Sequence, residues 1–163
     1  MKETKIEAKV GNLEAVQNFI SEVLKAASDC PAKLQRQIIL AVEEIFVNIA
    51  LYAYSQNVWA TSSQNKQPVA EAGIVTIRIA VSDEIIIEFM DSGIPFNPLE
   101  IDEPNLTSST EEREIGGLGI FMVKNLMDTI KYRNEDNKNI LILAKKVAKY
   151  SYPLNFPVGE VRW

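Results

Sequence analysis

Residues 114–128, EIGGLGIFMVKNLMD, place Gly116, Gly117 and Gly119 within four positions and then run into an apolar segment with helical spacing. A glycine costs roughly 1 kcal/mol against alanine inside a helix, so this junction needs bare backbone, either for a close-packed turn or for an anion. The first turn of a helix offers unpaired N–H groups and the positive end of the dipole, which suits phosphate. Two other phosphate loops are excluded: GxxxxGK[ST] is absent, and no strand feeds directly into the glycines as in a dinucleotide-binding unit.

Working outward, the rest of the chain limits what that anion belongs to. The 163 residues suit one domain able to bury a core without disulfide or metal staples. Cys30 is the single cysteine and there is no histidine, which removes internal disulfides, histidine-based triads and histidine-ligated zinc or haem. A net charge of −5 argues against a nucleic-acid partner. No apolar run approaches the roughly 20 residues of a membrane span and the polar N-terminus is unlike a signal peptide, so a cytoplasmic location is expected.

Period-2 alternation in TKIEAKV, over Ile6, Ala8 and Val10, predicts a short strand ended by Gly11, with Asn12 placed to cap the next element. A helix to about Ala27 buries Leu13, Val16, Ile20, Val23 and Leu24, and a longer one from Pro31 to about Tyr54 keeps Ile38, Val42, Ile45 and Ile49 on one face. After a Ser/Asn/Gln-rich connection, Ser55 to Gly73, alternating Val75 to Val81 and EIIIEFMD predict a hairpin ending at Asp91. A polar, proline-punctuated stretch, Ile94 to Ile115, leads to the glycines and a helix through Met127. TIKYR and NILILAKKV then pair around the turn-like NEDNKN. The order predicts an α+β fold, helices layered on one face of a mostly antiparallel, mixed sheet over residues 1–147, followed by a tail of 148–163.

Two further motifs carry chemistry. In LAVEEIFVNIALYAY, Glu44 lies about 40° from Asn48 around the helix and Glu43 about 140°, so Glu44 shares the Asn48 face. An amide oxygen suits Mg²⁺, and a carboxylate one turn away can take a proton from an attacking hydroxyl; a solvated helix face has the same spacing. In FMDSGIPFNP, Asp91 can accept from an exocyclic amine, Gly93 lets a flat ring approach the backbone, and Ile94, Pro95 and Phe96 offer apolar walls, although a strand-end turn has the same composition.

ExxxN on a helix, DSG after a strand and GGLG before a helix, in that order, resemble the N, G1 and G2 boxes of the GHKL ATPase superfamily. VEEIFVNIALYAY, DSGIPF and GGLGIFMVKNLMD are most similar to the small bacterial anti-sigma factors that are also serine-protein kinases of partner-switching systems. The resemblance implies a two-layer α/β sandwich of Bergerat type binding ATP with Mg²⁺. It assigns Asn48 as the Mg²⁺ ligand, Glu44 as catalytic base and Asp91 with Gly93 and Ile94 as the adenine contact. Gly116, Gly117, Leu118 and Gly119 would hold phosphates, and Arg113 would stand in a lid over 94–115.

It further implies phosphoryl transfer to a serine of an antagonist protein with a STAS domain, sequestration of a sigma factor, and often a homodimer. Tyr52-Ala53-Tyr54 stands where the family commonly has His-Gly-Tyr, and the final strand lacks the usual Gly-Thr start. A non-catalytic, ATP-gated interaction module and a detached histidine-kinase-type ATP-binding domain are the alternative readings.

Overall fold

A computed structural model of the protein describes residues 1–27, 30–54, 73–100 and 118–147. The elements are β1 (Lys2–Glu7), α1 (Leu13–Ala26), α2 (Ala32–Tyr52), β2 (Ile74–Val81), β3 (Glu84–Asp91), α3 (Leu118–Leu126), β4 (Thr129–Glu135) and β5 (Lys138–Lys146). The strands form one sheet in the order β1-β2-β3-β5-β4. Every pairing is antiparallel, so the sheet is antiparallel throughout its described strands and not mixed.

The period-2 patterns put Val75, Ile77 and Ile79 of β2, Ile85, Ile87 and Phe89 of β3, and Leu141 and Leu143 of β5 on the inner face, all buried. Against them pack Val16, Ile20 and Leu24 of α1, spaced four apart, Ile38, Val42, Ile45 and Phe46 of α2, and Ile120 and Val123 of α3. Phe46 and Phe89 are the largest fully buried side chains, and truncating either to alanine costs about 3–5 kcal/mol. Asp128 closes the α3–β4 connection onto β5, its carboxylate accepting from Lys145 Nζ at 2.6 Å and the Lys146 N–H at 2.9 Å. The hydrogen bond from Lys145 chiefly holds its carboxyl below the usual range.

The first strand ends at Glu7. Val10, expected within it, begins a 3-10 turn over Val10–Asn12 and is exposed. The Asn12 side chain does not cap α1; its Nδ2 donates instead to the Glu7 carbonyl at 3.0 Å, folding the turn back on β1. The NEDNKN turn is tighter than its composition implies: Asp136 and Asn137 both have positive φ, 52° and 58°, as a two-residue hairpin turn with the twist of its strands requires. The connection 55–72, most of the predicted lid (101–115) with Gly116 and Gly117 after it, and the tail 148–163 lie outside the described residues.

Candidate functional site

A cavity of about 180 Å³ opens between α2, α3 and the inner face of the sheet at the C-terminal end of β3. Ile45, Asn48, Ile49 and Tyr52 form its α2 wall, at the i, i+3, i+4, i+7 spacing of a single helix face. Ile94, Pro95 and Phe96 close one side, and Ile120, Tyr132 and Leu141 another. Two polar groups, Asp91 and Asn139, complete this largely apolar wall, and both are 6% exposed. An apolar-walled cavity with a few fixed polar groups is the usual form of a small-molecule site.

Asp91 ends β3, and its place in the cavity is set by a dense set of hydrogen bonds. Asp91 Oδ1 accepts from the Gly93 N–H at 2.8 Å and from Asn139 Nδ2 at 3.0 Å. Its second oxygen makes no hydrogen bond with a described residue. The loop after it is tied to the end of α2: the Ile94 N–H donates to the Ala53 carbonyl at 2.8 Å and the Ser92 N–H to Tyr54 Oη at 3.2 Å. A Cβ at Gly93 would collide with the Ala53 backbone and side chain, so this position takes glycine for close packing. Burial pushes the Tyr54 phenol above its usual range; the Ser92 N–H opposes this rise and the neighbouring Asp91 carboxylate adds to it.

The two adjacent glutamates of α2 have different surroundings. Glu43 Oε2 accepts from Gln17 Nε2 at 3.1 Å, on the side of α2 that faces α1. Glu44 lies at α3: a Cβ on Gly119 would run into Glu44 Oε2. The helical angles separate the two glutamates in this way, with Glu44 one turn before Asn48 and next to α3. Neither the Glu44 nor the Asn48 side chain hydrogen-bonds to a described residue. Leu118, the first residue of α3, is exposed, so the helix N-terminus faces outward beside the Glu44 carboxylate.

Among the sequence-predicted residues, Asn48, Asp91 and Ile94 line one cavity, Gly93 packs against Ala53, Glu44 lies beside Gly119, and Leu118 is exposed at the start of α3. Arg113, Gly116 and Gly117 lie outside the described residues. Asn139 is the residue the sequence motifs missed. It sits directly opposite Asp91 in the β3–β5 register. Its Nδ2 donates to Asp91 Oδ1 and to the carbonyls of Gly93 and Ile94 at 3.2 and 3.1 Å, while its Oδ1 accepts from Tyr132 Oη at 2.8 Å and Asn134 Nδ2 at 3.0 Å. A polar residue at an inward-facing strand position was the available signal.

These residues fit a nucleotide that brings its own metal. No group of three or more His, Cys, Asp or Glu side chains converges among the described residues, so there is no ready-made protein cage. A lone amide oxygen at Asn48 instead suits Mg²⁺, which keeps several waters and takes most of its other ligands from phosphates. No described helix is long and apolar enough to cross a membrane.

Residues 6–145 match the family model of the histidine kinase-like ATPase domain. The chain is 32% identical over 108 residues to an anti-sigma F factor of Clostridium acetobutylicum, an alignment covering 66% of this chain and 66% of that one. The solved structure of the RsbU and RsbW domains of a Mycobacterium tuberculosis protein is similar with a TM-score of 0.54 at 13% identity, over 90% of this chain and 33% of that one. A blue-light-activated histidine kinase of Erythrobacter litoralis gives 0.53 at 17%, over 85% and 42%. At such identities the two solved structures speak for the fold, and the chain spans less than half of either. The family match extends over most of the sequence and takes in Glu44, Asn48, Asp91 and Gly119: this chain belongs to the histidine kinase-like ATPase domain family, of GHKL type, with ATP as its ligand class.

Proposed function

We propose that the protein is an ATP-dependent serine-protein kinase that phosphorylates an antagonist with a STAS domain and otherwise sequesters a regulatory partner, a sigma factor being the expected one. The observation that carries this reading is Glu44 beside Gly119 of α3, one helical turn before Asn48, which lines the same cavity as Asp91. The likeness to an anti-sigma F factor supports the choice of partner class.

In this reading the free oxygen of Asp91 accepts a hydrogen bond from the exocyclic amine of adenine, and Ile49, Ile94 and Leu141 exclude water from the ring. The phosphates run toward α3, whose N-terminal N–H groups favour negative charge. Mg²⁺, when bound with the nucleotide and held by Asn48, spreads the charge that develops on the phosphate oxygens. The serine hydroxyl oxygen attacks the γ-phosphorus, the bond to the β–γ bridging oxygen breaks, ADP leaves, and Glu44 takes the hydroxyl proton. Such chemistry asks of the protein mainly positioning and charge stabilisation.

The test is transfer of labelled γ-phosphate from Mg-ATP to a purified STAS-domain partner, with the acceptor residue mapped. Phosphoserine with wild type and none with Glu44→Ala, which still binds ATP, is the expected result. A Glu44→Ala protein that phosphorylates normally would remove Glu44 from the chemistry. A wild type that binds ATP but labels no partner, while releasing one on nucleotide exchange, would point to an ATP-gated binding module.

A further inference from the structure

Resting on the nucleotide reading of the cavity, we infer that Asn139 is the positioning residue that makes this site select a 6-amino purine. Two of its hydrogen-bond partners leave no ambiguity about which way the amide points. The Gly93 and Ile94 carbonyls are backbone acceptors, 3.2 and 3.1 Å away, so the atom facing them is the nitrogen. The same nitrogen therefore donates to Asp91 Oδ1. On the other side, Asn134 Nδ2 and the Tyr132 hydroxyl both supply hydrogens to Asn139 Oδ1. Turning the amide over would set its oxygen against three acceptors.

The consequence falls on Asp91. The Gly93 N–H and Asn139 together engage Oδ1, which fixes the plane of the carboxylate and leaves only the second oxygen for a ligand. That oxygen complements the amine of adenine and opposes the 6-oxo group of hypoxanthine or guanine, where acceptor would meet acceptor. Asn139 also holds two carbonyls of the segment after Asp91, so the base contact and the Ile94–Phe96 wall share one anchor. Without Asn139, Oδ1 loses a donor and the carboxylate is free to rotate toward other partners. Both affinity and base choice should relax together, which a role in packing alone would not produce.

The experiment is calorimetric titration of the full chain with Mg-ATP and with Mg-ITP, which differ at the 6-position, for wild type, Tyr132→Phe, Asn139→Leu and Asn139→Asp, each checked by thermal melt. Wild type should prefer ATP by about 100-fold or more. The preference should shrink by about threefold in Tyr132→Phe, which removes only a support of the Asn139 amide. It should shrink about tenfold to thirtyfold in Asn139→Leu and furthest in Asn139→Asp, which sets a carboxylate oxygen against three acceptors. Should the Asn139 variants fail to fold, Tyr132→Phe carries the test. An unchanged ATP:ITP ratio in a folded Asn139→Leu protein, or in Tyr132→Phe where that protein does not fold, would overturn the role of Asn139 whatever happens to its melting point. A wild type that binds neither nucleotide would instead overturn the nucleotide reading, and this inference with it.

Discussion

Where the cavity meets β3 and β5, the Asp91 and Asn139 side chains take part in six hydrogen bonds, whereas on α2 the Glu44 and Asn48 side chains make none with any described residue. Both pairs stand on regular elements: Asp91 and Asn139 on paired strands, Glu44 and Asn48 on α2. The difference lies in what each group must do. A group that reads a base has to be held in one orientation before the ligand arrives, because a wrongly placed partner is what gives discrimination. In the proposed function a metal ligand at Asn48 and a proton acceptor at Glu44 would need their lone pairs for the reaction, and no described residue uses them.

The largest effect should come from Glu44. Glu44→Gln keeps the size of the side chain and removes the base, so phosphotransfer should fall by about 10²–10⁴-fold with ATP affinity nearly unchanged. Single-turnover transfer beside a binding titration measures the two separately.

The two glycines sharpen the contrast. Gly93→Ala sets a methyl group against the Ala53 backbone, which cannot yield, and should cost about 1–3 kcal/mol in a denaturant melt together with loss of ATP binding. Gly119→Ala meets only the tip of the Glu44 side chain, which can swing aside. Its stability should change by less than about 1 kcal/mol while transfer slows, because the base has moved.

The smallest effect is on pH dependence. Tyr54, buried and next to Asp91, has its phenol raised above the usual value of 10.0. Above that pH the unfolded chain gives up this proton before the folded one does, so stability is fully present below it and declines as pH rises through the folded value. Tyr54→Phe should flatten the alkaline limb of the melting curve; an alkaline limb identical to wild type would mean Tyr54 does not contribute to it.

Much of this was legible in the sequence because it rests on local periodicity. The 100° step of a helix separates Glu44 from Glu43, and the structure places them toward α3 and α1 as that step requires. Alternation in Val75–Val81 and EIIIEFMD likewise gave the β2–β3 hairpin and put Asp91 at its inner end. Alternation misled at Val10, since nothing in Ile6-Ala8-Val10 reveals that the Asn12 amide pulls the chain out of the strand by bonding to the Glu7 carbonyl. Asn139 was missed for a different reason. Its contact with Asp91 is a product of register, Asp91 facing it from 48 positions earlier in the chain, and a single asparagine beside a turn is ordinarily a turn residue. Only the alternation Asn139, Leu141, Leu143 places it on the inner face, where an unpaired amide would be costly.

The most direct measurement is calorimetric titration of Mg-ATP into wild type and Asp91→Asn. The substituted amide would keep an acceptor for the adenine amine only by presenting its nitrogen to the donors that now serve Oδ1. Wild-type binding in the micromolar range that weakens by about 100-fold or more in the variant, with the fold intact, is what the account predicts. Equal affinity in the two proteins would contradict it, since the base would then be read somewhere other than at Asp91.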